Sequence, residues 1–319
     1  MARVQQMSVA APEQQLQDDD VLWRYVPLPT LLFYLRGSLF IPSVAKLKEG
    51  DPFEGEFYSG HDWFNLALRA HCGTEHKSVL KWIDEELCND ADRKMIAAHS
   101  AINRPGYKFP VYQRRYLEFS RHTRFAWCWF QSPTESSAMW NIYGKGGAAV
   151  ATTVGKLKSA LEGLQHGDRV FVFRRMIYVQ PIGGDQVLNF SQNNPDYTHL
   201  LLQPHFLKRI EYKFESEVRF VTAGPTTKAP GITFEDVHPE CWIQRIRLCP
   251  RLDPSEVKAI HEAVEHLLPG VDCAKSDLLA KKSADDTSDH TLSAELQRSR
   301  EEKWRDGTDG IPSVVKKLV

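Results

Sequence analysis

Apolar and polar side chains alternate through Tyr212-Lys213-Phe214-Glu215-Ser216-Glu217-Val218-Arg219-Phe220-Val221. Period-two alternation predicts an extended strand with Tyr212, Phe214, Val218 and Phe220 on one face and Lys213, Glu215, Glu217 and Arg219 on the other. The two carboxylates then share a face, roughly 7 Å apart along the strand, between a lysine and an arginine. Such a face is either solvated, with its charges paired across the sheet, or turned into a cleft. On the strand alone the solvated reading leads, since half-exposed charged faces are common.

The pattern elsewhere predicts a strand from Val21 to Tyr25, a helix opened by Pro29 and closed by Gly37, and a strand from Ser38 to Pro42. Gly50-Asp51-Pro52-Phe53-Glu54-Gly55 reads as a turn. Residues 60 to 105 have helical spacing, with Val79, Leu80, Trp82, Ile83, Leu87 and Cys88 on one broad apolar face. A buried strand is expected from Arg124 to Phe130. Ser136 or Ser137 caps a short helix bearing Met139, Trp140 and Tyr143, which Gly144 ends. Strands from Gly147 to Val154 and from Arg169 to Val179 flank a helix near Lys156 to Leu164, and another strand runs from Glu240 to Leu248. Asp253-Pro254-Ser255-Glu256 supplies an N-cap, a first-turn proline and an acidic third position for a helix striped by Val257, Ile260, Val264 and Leu267. Strands and helices are interspersed without a βαβ rhythm. The expected fold is α+β: a single domain over residues 20–280 with a mixed, largely antiparallel sheet and flanking helices. Residues 1–19 read as a flexible leader, and the charged, serine-rich stretch 281–319 as a mobile tail or one that engages a partner.

Composition narrows the function classes only a little. A formal net charge of -1 over 319 residues gives no global pull toward nucleic acid or a membrane surface. No apolar run approaches the roughly 20 residues that span a bilayer, and the first twenty residues lack a signal-peptide pattern, so no membrane partner and a cytoplasmic location are expected. The cysteines Cys72, Cys88, Cys128, Cys241, Cys249 and Cys273 form no C-x-x-C pair and read as reduced thiols. His71-Cys72 with His76 and Cys88 matches no common zinc spacing, so no metal is expected.

Candidate chemistry centres on the Glu215/Glu217 pair. One carboxylate can stabilise developing positive charge while the other accepts a proton, with Lys213 and Arg219 holding both ionised. Arg24, between Trp23 and Tyr25, suits phosphate or ribose recognition because guanidinium forks to two oxygens and stacks; equally, it can pair with a glutamate inside the sheet. Trp140 and Tyr143 share a helical face and form either one wall of a pocket for a flat ring or an aromatic core plug. Asp51 and Glu54 are candidate acidic groups for a cleft, or ordinary turn residues. Gly144-Lys145-Gly146-Gly147 is not a phosphate loop, since no Ser/Thr follows the lysine and no helix follows the loop.

Taken in order, Trp23-Arg24-Tyr25, Asp51-Pro52-Phe53-Glu54, Ser137-x-Met139-Trp140-x-x-Tyr143-Gly144 and Tyr212-Lys213-x-Glu215-x-Glu217-Val218-Arg219-Phe220 resemble a bacterial domain-of-unknown-function family over about residues 21 to 280. The aromatic-flanked arginine on an early strand and the Glu-x-Glu on a late one also resemble the ADP-ribosyltransferase superfamily. That resemblance implies a split sheet and NAD as substrate. It implies that Arg24 binds the phosphate and ribose region and that Tyr143 or Trp140 lines the nicotinamide pocket, with Tyr25 a further cofactor-binding candidate. Glu217 would favour an oxocarbenium-like transition state, and Glu215 would orient or deprotonate a macromolecular acceptor, protein or nucleic acid. No clear Ser-Thr-Ser strand is present; Ala151-Thr152-Thr153 is a loose substitute. The expected activity is therefore NAD-dependent ADP-ribosyl transfer, suited to a toxin or defence role. The alternatives are a magnesium-dependent nuclease or phosphoesterase built on Asp51, Glu54, Glu215 and Glu217, and a non-enzymatic sensor or interaction module.

Overall fold

The apolar runs assemble into one large sheet. The computed structural model describes residues 3–6, 15–55, 64, 68–69, 75–101, 108–164, 169–179, 204–224 and 228–279. Its strands are β1 (Arg3–Gln6), β2 (Val21–Val26), β3 (Leu39–Pro42), β4 (Arg124–Gln131), β5 (Ala148–Thr153) and β6 (Val170–Arg175). They continue with β7 (Ile177–Val179), β8 (Leu207–Arg209), β9 (Glu217–Ala223), β10 (Gly231–Phe234), β11 (Arg245–Leu248) and β12 (Asp272–Lys275). The main sheet has the order β1-β6-β9-β4-β2-β5-β11-β12, while β3 with β10 and β7 with β8 form two-stranded ribbons. Its outermost pairs, β1–β6 and β11–β12, are parallel, and every pair between them is antiparallel. The chain is thus α+β with a mixed, largely antiparallel sheet. It divides into Met1–Ser276, the unit described here, and Asp277–Val319.

The pairing in the middle of this sheet is uneven. β4 meets β9 from Arg124 to Phe130, and β2 meets β5 along its whole length. β2 meets β4 only at Leu22–Gln131 and Trp23–Phe130. Beyond Trp23 the two central strands part, and backbone groups that a ladder would satisfy need other partners.

An aromatic core backs the sheet. Trp127 meets Trp129 and Trp242 edge to face at centroid distances of 5.0 and 5.5 Å, and Tyr34 joins Trp242 at 5.3 Å. These are the tilted contacts that ring quadrupoles favour. Phe173 stacks on Phe220 at 5.1 Å. A separate cluster around Val44, Ala126, Val172, Met176, Phe206 and Val221 adds a second apolar layer. A third, with Ile83, Val111, Tyr112 and Tyr116, packs helices together.

Caps and turns follow the sequence closely. Gly37 takes φ 79 just past helix Leu28–Leu35. Asp253 and Glu256 form a reciprocal capping box on helix Pro254–Leu267. Ser136 Oγ accepts from Met139 N–H at 3.4 Å to start helix Ser137–Ile142. Other expectations need correction. The strand expected from Glu240 to Leu248 opens instead as a helical turn, Pro239–Trp242, because Pro239 has its φ preset for a first helical position. The strand expected from Arg169 to Val179 breaks at Met176, whose N–H donates to the Glu217 carbonyl at 2.8 Å. Of residues 60–105, His76–Trp82 and Asp90–Ala101 are α-helical and Ile83–Leu87 forms a wider π turn. Helix Lys108–Thr123 has no counterpart among the expected elements: Pro110 and its charged residues obscure a buried face of Tyr112, Tyr116, Leu117, Ser120 and Thr123. Within the stretch read as a leader, Arg3–Gln6 is an edge strand and Leu16 is buried in the main core. The tail 281–319 lies outside the described residues. Among those described, no helix is long and apolar enough to cross a membrane.

Gly147 sets a tight constraint where β2 ends. A Cβ there would stand 2.1 Å from the Val26 carbonyl oxygen, whereas one at Gly163 would meet nothing closer than 3.5 Å. Gly147→Ala should therefore destabilise by about 1–3 kcal/mol, and Gly163→Ala should change stability by less than about 0.5 kcal/mol. Urea unfolding followed by tryptophan fluorescence checks this, and equal losses would contradict the packing described.

Candidate active site

A cavity of about 540 Å³ opens where β2 and β4 part, lined by Trp23, Arg24 and Tyr25 from one strand and Cys128, Trp129 and Phe130 from the other. The Tyr212–Val221 block supplies its charged wall, but not as a single strand. Ile210–Glu215 winds into a 3-10 helix, Ser216 takes a left-handed φ of 41, and β9 starts at Glu217. The Ser216 N–H donates to the Lys213 carbonyl at 3.1 Å, which closes the turn. Its small polar side chain suits a conformation that bulkier residues resist. Phe214, expected on the inner strand face, is exposed.

The turn brings both glutamates onto one ammonium. Lys208 Nζ donates to Glu217 Oε2 at 2.9 Å and also bonds Glu215 Oε2. Glu215 Oε1 accepts from the Tyr143 hydroxyl at 2.7 Å. Arg219, 1% exposed, donates through Nε to Glu217 Oε1 at 2.6 Å and through its two Nη atoms to Glu54 at 2.5 and 2.9 Å. This fork-to-fork pair ties the Asp51–Gly55 turn to the sheet. Asp51 fixes the same turn, accepting from Phe53 N–H at 3.1 Å and Arg209 Nη2 at 3.3 Å. Arg24 donates from Nε to the Tyr34 hydroxyl at 2.9 Å and from Nη1 to the Cys128 carbonyl, one of the groups left by the parted ladder. Among the described residues no carboxylate pairs with Arg24.

These contacts drive the two glutamates apart in proton affinity. Burial alone would raise the Glu217 pKa, but Arg219 and Lys208 outweigh it and hold the carboxyl well below the usual range. Glu215 is raised, first by burial and then by the Glu217 charge, with Lys208 opposing. Burial and the neighbouring Glu217 push the Cys128 thiol up, so it stays protonated and is no nucleophile at neutral pH. Burial and Glu215 likewise raise Tyr143, making its phenol the donor in their bond.

Arg24, Tyr25, Tyr143, Glu215, Glu217, Asp51 and Glu54 all reach the same cavity wall. Trp140 does not. It is 5% exposed, packs edge to face on Tyr25 at 5.0 Å and donates through Nε1 to Glu135 at 2.9 Å. It supports the wall from behind, because the helix Ser137–Ile142 turns it inward while Tyr143, just beyond the helix end, faces the opening. The Tyr25 hydroxyl accepts from Ser136 N–H at 2.7 Å, which ties its ring to the start of helix Ser137–Ile142. Thr152 is buried in β5 and does not line the cavity. Lys208 was not foreseen. It follows Phe206-Leu207 in a short strand, and its local pattern matches that of any solvated lysine. Arg219, expected only as supporting charge, is the centre of the network. Among the described residues no group of three or more His, Cys, Asp or Glu is arranged to hold a metal. Comparison with protein-family models, with curated proteins and with solved structures finds no match.

The pH dependence of stability follows with opposite signs. Glu217, with its folded pKa depressed, contributes stability fully present above the unfolded value of about 4.3 and lost as pH falls through the lower folded value. Glu215, with its folded pKa raised, takes stability away as pH rises from about 4.3 to its folded value. Glu217→Gln should flatten the acid limb of the stability profile, and Glu215→Gln should remove the decline above it. Urea unfolding across that pH range checks both, and the same change from both variants would contradict the assignment.

Proposed function

We propose that this cavity cleaves the nicotinamide–ribose bond of NAD and passes ADP-ribose to a macromolecular acceptor. The supporting observation is the split pair: one carboxyl kept ionised and one raised, on a shared ammonium, in an aromatic-walled cavity that also holds Arg24. Two carboxyls with pKa values pushed apart suit an electrostatic stabiliser beside a proton acceptor. The cavity volume falls within the range of about 300–1,000 Å³ usual for small-molecule sites. The parting of β2 and β4 is consistent with the split sheet that the sequence resemblance implies.

In this reading Arg24 holds a phosphate or ribose oxygen. The bond between ribose C1′ and the pyridinium nitrogen breaks, and its electron pair leaves with nicotinamide, neutralising that ring. Glu217 stabilises the positive charge left on the ribose. The acceptor attacks C1′, and its proton passes to Glu215, whose raised pKa makes it the more basic of the two carboxylates. Tyr143, 44% exposed, stands between Glu215 and solvent on the side open to an acceptor.

A second reading, a binding module that senses a nucleotide without turnover, draws on the completeness of the Glu217 ion pairs. The metal-dependent reading gains less, because Asp51, Glu54, Glu215 and Glu217 are each engaged by a cation that a metal would have to displace.

Nicotinamide release from NAD, measured with the acceptor-containing lysate and with purified protein alone, separates these. Wild type should release nicotinamide, Glu217→Gln should lower kcat by about 10²–10³-fold, and Arg24→Ala should act mainly on KM. NAD binding without release would favour the sensor. Neither binding nor release would overturn the transferase reading.

A further inference from the structure

Phe53 is an exposed aromatic side chain next in sequence to residues of the cavity wall. It lies in the turn between Asp51 and Glu54, which both line the cavity, and remains 42% exposed. The Arg209 guanidinium sits 4.5 Å from its ring centroid and 5.3 Å from that of Tyr212, while Lys208 Nζ lies 4.8 Å from the Tyr212 centroid. Arg209 is itself held, donating through Nη2 to Asp51 and to the Tyr212 hydroxyl, each at 3.3 Å. Phe53 is therefore supported on one side by a positioned cation and presents the rest of its ring to solvent. An exposed phenylalanine carries no hydrogen-bonding group, so what it can recognise is another flat apolar face.

We propose that Phe53 is the stacking platform for the adenine ring of the dinucleotide, a subsite that rests on the NAD reading of the cavity. The proposed cleavage decides which of the two rings goes there. Glu217, which that reading sets at the nicotinamide ribose, lines the cavity itself, so the nicotinamide end lies inside and the adenine end is left to reach Phe53. Adenine is neutral and stacks over an arginine-backed ring. The inner end of the cavity thus takes the nicotinamide ribose, and the adenosine half extends over the Asp51–Gly55 turn. Because Glu54 and Asp51 anchor that turn through Arg219 and Arg209, the platform and the reacting end are held in one rigid frame. The site then selects dinucleotides over mononucleotides.

Calorimetric titration of the full chain with NAD, ADP-ribose and nicotinamide mononucleotide tests this. Wild type should bind NAD and ADP-ribose at least about tenfold more tightly than nicotinamide mononucleotide. Phe53→Ala should bring that ratio close to one, and Phe53→Trp should restore it. If NAD binds but Phe53→Ala keeps the wild-type ratio, the platform is wrong and the NAD reading stands. If wild type binds neither NAD nor ADP-ribose, the NAD reading falls and the platform falls with it.

Discussion

The site depends on Arg219 being fully neutralised inside the sheet. A guanidinium at 1% exposure has given up its hydration, and only a complete set of acceptors makes that tolerable. Glu54, Glu217 and the His205 carbonyl supply that set. Each comes from a different part of the chain: a turn after the first helices, the start of β9, and the approach to β8. Satisfying one buried cation therefore fixes three segments at once. Lys208 extends the network by one step to Glu215, and Tyr143 by one more to the cavity rim.

This arrangement gives chemistry as well as register. Two carboxyls in one apolar pocket would ordinarily share their burial penalty and titrate as near equals. Here Glu217 has Lys208 and the Arg219 fork, whereas Glu215 has Lys208 and a phenol. The unequal partners, rather than unequal burial, separate their proton affinities. Arg24 forms no ion pair in this network among the described residues. Its hydrogen bonds go to Tyr34 and the Cys128 carbonyl, and the Glu217 charge is one of the groups that raise its pKa.

Much of the frame was legible because local chemistry decides it. Asp253 with Glu256, Ser136 and Gly37 each act within a few residues, and β2, β4 and β5 are short apolar runs. The blocks carrying Arg24, Asp51–Glu54, Tyr143 and Glu215–Glu217 were recognised as candidates, and they meet in one cavity. The alternation from Tyr212 to Val221 misled: Ile210–Glu215 is a 3-10 helix, whose side chains repeat every three residues, and Ser216 is left-handed, so only the part from Glu217 onward is the imprint of a strand. Glu215 instead bonds Lys208, seven residues back, a contact that depends on tertiary placement. Trp140 and Tyr143 share a helical period, yet one faces the core and the other the opening. Periodicity cannot tell a wall from its backing when both sides are apolar.

The separation of Glu215 from Glu217 is the physical claim on which the proposed chemistry stands. A carbon-13 NMR titration of protein labelled at the glutamate carboxyl carbons, with signals assigned through Glu215→Gln and Glu217→Gln, measures it directly. Glu215 should titrate above the ordinary glutamate value of about 4.3, and Glu217 should stay ionised well below it. Two carboxyls titrating together near that ordinary value would contradict it.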